Sequence, residues 1–383
     1  MHTTKYLIVG AGMTGDMAAK GIREQEPDGS ITMIGADPHA VYKRPLLTKG
    51  LWHGAAEDSI WREPAEDVEL VTGRRIVSVD LAGHTAMNDE GEKYSWEKLL
   101  FATGARPRQI PDAEGVVWFR TLDDYHRMRA VAVDSAHIVV IGGGFIGSEL
   151  AASLADNGCR VTMLFPEGGV CDRLFPADLS GSVTDYYREK GIDVLSGEKV
   201  SAASGDRVET GDGRTIEADA VAGGLGVIPN TELAEEAGLE VNDGIVVDEY
   251  GRASGHEDVF AAGDVARLPV PALGTTLRIE HEDHANTHGH VVGGNMAGAD
   301  MPYTHLPFFY SDLFDLGYEA VGEVDSRHRT EVEWADPNRS GVICYVDDDG
   351  RPRGFLLWNV WGKVDAAREL IKAGAPVGEG ALV

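Results

Sequence analysis

The chain has 383 residues, more than one hydrophobic core normally serves, so two or three domains are expected. Its 43% hydrophobic content and 48 glycines suit a globular α/β protein, and its formal charge of −29 disfavours a nucleic-acid partner, because such proteins carry basic patches. Cys159, Cys171 and Cys344 form no close pair, which argues against a dithiol redox centre or a Cys-rich metal site and fits a reducing compartment, so a cytoplasmic location is expected. No stretch approaches the apolar length that spans a membrane, and no signal peptide is read before the first strand.

The first element, "YLIVGAGMTG", reads as a buried strand running into Gly10-x-Gly12-x-x-Gly15, with "DMAAKGIREQ" continuing as helix. In "ITMIGADPH" the acid Asp37 follows the next strand and is taken as a ribose ligand. Arg74 and Arg75 read as a solvated patch, with the backbone of Ile76 placed to touch an adenine. "LLFATGARPRQIP" puts Thr103 and Gly104 after another buried strand. "HIVVIGGGFIGSELAASLADNG" then repeats the opening plan with Gly142-x-Gly144-x-x-Gly147. In each copy the first glycine makes the tight turn, the second admits a pyrophosphate and the third lets helix pack on strand. The phosphate would sit at a helix N-terminus, where free N–H groups favour an anion.

The second copy is followed by Glu167 in "VTMLFPEGG". A carboxylate there accepts from a ribose 2′-OH and repels a 2′-phosphate, and the nearest arginine is Arg173, so NADH is expected over NADPH. "AGGLGVIPN", with Gly226, closes the second unit. "DVFAAGDVA" places Asp264 after a strand and a small-residue turn, where an acid can hold the ribityl hydroxyls of a flavin.

"IEHEDHANTHGH" spaces His281, His284 and His288 along one helical face, which could hold a metal. Its place after the Asp264 turn favours another reading, the N-terminus of a helix aimed at a flavin. Glu280, His281 and Glu282 are then the members that meet a ligand, His284 and His288 pack or hydrogen-bond between domains, and no metal is expected. "LPFFYSDLF", with Tyr310, reads as domain packing or as a site aromatic. Trp358 and Trp361 read as core, and "DDDG" at Asp347 to Gly350 as a hairpin turn.

The order of GAGMTG, ATGARP, GGGFIGSE and AAGDVA resembles the two-dinucleotide flavoprotein family that includes ferredoxin reductases and disulfide reductases. "VYKRPLLTKGLW" is similar to a segment shared by ferredoxin reductases and apoptosis-inducing factor. "LFPEGG", the "IEHEDHANTHGH" region and "GVICYVDDDGRPRGFLLWNVWGKVDAARELIKAG" resemble the apoptosis-inducing-factor branch, and the likeness runs from about residue 5 to residue 374. It implies two Rossmann-like, glutathione-reductase-like dinucleotide-binding domains plus a small C-terminal α+β domain. The expected limits are 1–121 with 246–304 for FAD, 122–245 for NAD and 305–383 for the last domain.

The resemblance also implies roles. FAD would be held by Gly10, Gly12, Met13, Thr14, Gly15, Asp16 and Asp37, by Arg44, Lys49, Ile76, Thr103, Gly104 and Arg120, and by Asp264, His281, Glu282 and Tyr310. NAD would be held by Gly142, Gly143, Gly144, Phe145, Ile146 and Gly147, by Glu149, Glu167, Arg173 and Gly226, and by Glu280, Glu319 and Asn359. Phe145 would cover the flavin until nicotinamide displaces it, and Lys49 would pair with Glu149 beside flavin N5. The implied chemistry is hydride transfer from NADH C4 to that atom, with Lys49, Glu149 and His281 as the catalytic side chains. Electrons would pass to an unidentified acceptor, which is a small redox protein, a quinone or another oxidant. A dedicated ferredoxin or rubredoxin reductase is one alternative. An NADH-responsive redox sensor that holds a long-lived charge-transfer complex and dimerises is another, so a homodimer partner is left open.

Overall fold

The computed structural model describes residues 1–376, 378 and 380. The chain divides into two compact units. The first comprises Met1–Lys43, Asp58–Arg106 and Ile228–Pro307. The second comprises Arg44–Glu57, Pro107–Val227 and the chain from Phe308 onward. The division departs from the expected domain limits at one place that matters below: residues 44–57, expected in the FAD domain, pack with the second unit.

A five-stranded parallel sheet forms the heart of the first unit, in the order Val259–Ala261, Lys98–Phe101, Tyr6–Val9, Ile31–Gly35, Val68–Thr72. A parallel sheet is covered on both faces, which is why its strands read as unbroken apolar runs. Leu7, Leu99 and Phe101 bury one face, while Ile8, Leu100 and Phe260 bury the other. On the second of these faces lie helix Met13–Gln25 and helix Glu282–Met296. The two helices approach so closely that only glycine fits at the crossing. A Cβ on Gly293 would come within 2.0 Å of the Ala18 carbonyl oxygen, and one on Gly289 within 2.5 Å of the Thr14 oxygen.

The second unit repeats the layout. Its parallel sheet runs Val117–Trp118, Ala220–Gly223, His137–Ile141, Arg160–Phe165, Asp193–Ser196, again with the glycine-bearing strand in the centre and the acid-bearing strand beside it. An antiparallel sheet follows in the order Phe308–Leu313, Leu316–Gly322, Pro352–Trp358, Ser340–Val346, Arg329–Asp336. Helix Val364–Ala373 packs on two of its strands, completing the α+β portion. Asp347–Gly350 turns the hairpin between two of those strands, as expected. Trp358 is core, but Trp361 is not: it lies beyond the last strand, is 53% exposed and rests its ring over Gly317. Among the described residues no helix is long and apolar enough to cross a membrane.

Candidate functional site

In both units the motif residues gather at the carboxyl ends of the parallel strands, the edge where α/β sheets take ligands. Gly10 follows Val9, Thr103 follows Phe101, and Asp37 and Asp264 stand just past Gly35 and Ala261. In the second unit Gly142 follows Ile141, Glu167 stands just past Phe165 and Gly226 just past Gly223.

The two glycine turns are built alike. Gly10 and Gly142 have φ of +120° and +115°, and a Cβ on either would strike a backbone oxygen, Ala102 at 2.0 Å or Gly224 at 2.3 Å. A Cβ on Gly15 or Gly147 would come within 2.2 or 2.0 Å of the Gly10 or Gly142 oxygen. Gly12 and Gly144 differ: a Cβ there would meet nothing within 4 Å. Each is the N-cap of its helix, and neither helix receives a side-chain cap. Open space over a run of uncapped N–H groups, which Met13, Thr14, Phe145 and Ile146 continue, fits a pyrophosphate. Helix Leu122–Val131, which carries no such motif, is closed by a Thr121–Asp124 capping box instead. Gly143 packs against Phe165, where a Cβ would come within 2.8 Å of the ring.

Around the first turn the acids are held in place. Asp37 accepts from the Tyr42 hydroxyl at 2.8 Å and from the His39 N–H at 3.1 Å. Asp16, fully buried in the first turn of its helix, is gripped through Oδ2 by Arg62 at 2.7 Å and Lys20 at 3.0 Å. Thr103 and Asn230 clasp each other: the Thr103 hydroxyl donates to the Asn230 carbonyl and the Asn230 amide to the Thr103 carbonyl, both at 2.8 Å. Gly104 accepts from the Asn230 N–H. Ile76 opens strand Ile76–Asp80 and buries its side chain in the core. Arg74 pairs with Glu90.

The histidine run begins a helix, with His281 as N-cap and Glu282 and Asp283 in the first turn. Burial holds His281 below the ordinary histidine range, while Asp264 and Asp283 act the other way. Glu280 pairs with Arg278 at 2.5 Å, and Arg278 also donates to the Asp264 carbonyl. His284 and His288 are completely buried inside the first unit, stacked on each other at 4.7 Å. His288 Nδ1 accepts from the Gly263 N–H at 3.2 Å, so this histidine holds the turn that presents Asp264. That acceptor role fixes the neutral tautomer, and burial pushes the His288 pKa down to about 3. Among the described residues no three His, Cys, Asp or Glu side chains converge as metal ligands would.

In the second unit Glu167 pairs with Arg173 at 2.8 Å, and Arg173 is 86% exposed. Phe145 meets Phe309 edge to face at 5.1 Å. Lys49 and Glu149, a hundred residues apart, form a partly buried ion pair, and the ammonium also lies 5.1 Å from the centre of the Tyr310 ring. Arg44 donates to the Arg120 carbonyl. Glu319 accepts from the Gly362 N–H at 3.3 Å. The Asn359 amide is engaged at both ends within the C-terminal sheet, accepting from the Gly317 N–H and donating to the Arg339 carbonyl, each at 2.8 Å. Lys49, Glu149 and Tyr310 therefore fall in one unit, and Glu280, His281 and Glu282 in the other.

Several of these supports were not legible in the sequence. Thr48 and Ser311 both donate to Glu149 at 2.6 Å, and Tyr42, Asn230, Arg278 and His288 hold groups that the motifs did identify. One signal did exist. Glu149, Ser153 and Asn157 stand four residues apart on a helix, so they share one face.

Comparison with known proteins agrees with this geometry. Residues 4–289 match the pyridine nucleotide-disulphide oxidoreductase family, and residues 292–340 match the C-terminal region of mitochondrion-associated apoptosis-inducing factor. The ferredoxin–NAD(+) reductase component of the anthranilate 1,2-dioxygenase system of Burkholderia cepacia is 33% identical over 98% of this chain and 96% of its own length. Apoptosis-inducing factor 1 of Dictyostelium discoideum is 31% identical over 96% of this chain and 78% of its own. The solved ferredoxin reductase of Rhodopseudomonas palustris superposes with a TM-score of 0.90 at 29% identity, covering 100% of this chain and 98% of that one. Two dinucleotide cradles, each with an acid at the next strand end, are what FAD and NAD(H) require. The chain belongs to the pyridine nucleotide-disulphide oxidoreductase family, as an FAD-dependent NAD(P)H oxidoreductase of the ferredoxin-reductase and apoptosis-inducing-factor type.

Proposed function

We propose that the chain is an NADH-dependent reductase whose electrons leave to a small ferredoxin-type redox protein. The observation that carries the coenzyme assignment is Glu167, a carboxylate just past strand Arg160–Phe165 and held by Arg173, where it would accept from ribose hydroxyls and repel a 2′-phosphate. The acceptor assignment rests on the near full-length likeness to a ferredoxin–NAD(+) reductase component. Bound FAD supplies the step between two-electron and one-electron transfer that such an acceptor needs.

The chain's own residues supply the rest. The uncapped turn at Gly12 to Thr14 binds the FAD pyrophosphate, Asp37 its ribose, and Asp264 its ribityl chain, with His288 and Arg278 steadying Asp264. The turn at Gly142 to Gly147 binds NADH. Lys49 is the cation that the family likeness assigns to the flavin, and Glu149 holds its ammonium in one position. The helix N-terminus that His281 caps would favour negative charge on a flavin placed against it. The three cysteines are free and buried, which suits a reducing cytoplasm.

Anaerobic titration tests this. NADH should bleach the bound flavin with an efficiency at least about tenfold above NADPH, since one charged hydrogen bond is worth that much. A [2Fe–2S] ferredoxin should then reoxidise it rapidly. Equal efficiency with NADPH overturns the coenzyme assignment, and protein purified without flavin overturns the whole reading. The match of residues 292–340 favours one further reading, an NADH-responsive protein that reoxidises slowly and changes its association state. Slow reoxidation by every acceptor, with a shift in size on gel filtration after NADH, selects it.

A further inference from the structure

Lys49 lies in a segment with little regular structure of its own. It joins two short 3₁₀ turns, Arg44–Leu47 and Gly50–His53. Its position is fixed from outside by helix Phe145–Asp156. Glu149 and Ser153 rise along one face of that helix, Asn157 caps its C-terminus, and each grips a successive part of the segment. Glu149 takes the Thr48 hydroxyl and the Lys49 ammonium. The Ser153 hydroxyl donates to the Thr48 carbonyl at 2.7 Å, and the Asn157 amide donates to the Trp52 carbonyl at 3.0 Å. From the C-terminal sheet, the Ser311 hydroxyl donates at 2.6 Å to the same Glu149 oxygen that Lys49 uses. Ser153, Ser311, Thr48 and Glu149 are all buried.

We propose that Ser153 and Ser311 are positioning residues for Lys49: Ser153 fixes the peptide that carries it, and Ser311 fixes the carboxylate that holds its ammonium. A lysine has a long, flexible stem, and a charge acts on a reacting atom only while it is held there. The pair Lys49–Glu149 leaves two freedoms, rotation of the carboxylate and drift of the segment. Ser311 removes the first and Ser153 the second. The same contacts tie the Lys49 segment to the helix that follows Gly144. The proposal rests on the assignment of Lys49 to the flavin.

The test uses the flavin-loaded protein with Ser153→Ala, Ser311→Ala, the rescue variants Ser153→Thr and Ser311→Thr, and Lys49→Gln as control. Three quantities are read: the rate constant for flavin reduction by NADH from pH 6 to pH 9, the NADH dissociation constant, and the rate at which limiting acetic anhydride acetylates Lys49. The last is measured by mass spectrometry against the exposed Lys93. Each Ala variant should slow reduction about tenfold and speed Lys49 acetylation about fivefold, the scale of one charge-linked hydrogen bond, with NADH affinity unchanged. Each Thr variant should restore both. Unchanged acetylation and reduction in both Ala variants overturn the proposal when Lys49→Gln is slow. If Lys49→Gln reduces normally, the flavin assignment of Lys49 fails instead, and acetylation alone decides the positioning. Should Ser153→Ala fail to fold, Ser153→Cys keeps the volume, loses the strong donor and takes its place, with the same outcomes.

Discussion

Two helices bury polar side chains at the same four-residue spacing, and they use them in opposite ways. Helix Glu282–Met296 stacks His284 on His288 as neutral rings shut off from solvent. Helix Phe145–Asp156 buries a carboxylate at Glu149 and surrounds it with the Thr48, Lys49 and Ser311 donors. The histidines have the spacing of metal ligands, but His288 braces the Gly263 turn and His284 meets the Tyr303 hydroxyl. Glu149 and Ser153 have the pattern of ordinary helix polar residues and organise a buried charge. Helical spacing says which residues share a face; what reaches that face from elsewhere decides the chemistry.

The sharpest way to break the contrast is to remove the carboxylate. Glu149→Leu strands the Lys49 ammonium and should cost about 3–5 kcal/mol in urea unfolding, whereas Glu149→Leu with Lys49→Met should recover most of it. A small cost for the single variant would mean the ammonium escapes to water. Next is the helix crossing that carries the histidines. Gly293→Ala should cost about 3 kcal/mol by thermal melting, because its Cβ meets backbone rather than a movable side chain.

Acid distinguishes the two helices further. The unfolded chain protonates His288 below pH 6.5, the folded chain only near pH 3. Protons therefore favour the unfolded state throughout that window. Stability should be flat above pH 6.5 and fall by up to about 1.4 kcal/mol per unit per buried histidine as pH drops through it. Urea titrations at pH 7, 6 and 5 check this, and His288→Leu should reduce the slope by about 1.4 kcal/mol per unit, leaving the share of His284; an unchanged slope would assign the acid sensitivity elsewhere. The smallest effect belongs to the end of the polar face. Asn157→Ala should cost about 1 kcal/mol in urea unfolding.

Legibility in the sequence followed the reach of each interaction. The glycine turns were readable because the motif is compact: a Cβ on Gly15 would strike the Gly10 oxygen five residues back, and Gly12 between them leaves the helix start open, although the close neighbour of Gly10 itself, Ala102, is distant in sequence. The strands were readable from their apolar runs. The Lys49–Glu149 pair came only with the family likeness, since nothing local joins residues a hundred positions apart. Ser311, at 162 positions from Glu149, left no local trace at all. Trp361 was misread because an aromatic beside an apolar strand resembles core, yet its ring lies past the strand end on bare Gly317 backbone. Residues 44–57 continue the first unit in sequence, but their hydrogen bonds go to the second.

The uncapped helix starts at Gly12 and Gly144 bear on supply as well as on catalysis. A ligand that completes such a start binds the folded chain and not the unfolded one, so mass action ties the folded fraction to ligand concentration, by about 2.7 kcal/mol at a hundred times the dissociation constant. On the proposed assignment, FAD should raise the melting of the first unit and NAD⁺ that of the second. In a cell short of riboflavin, the first consequence would be a shorter lifetime of the chain, because its unfolded form is what proteases take.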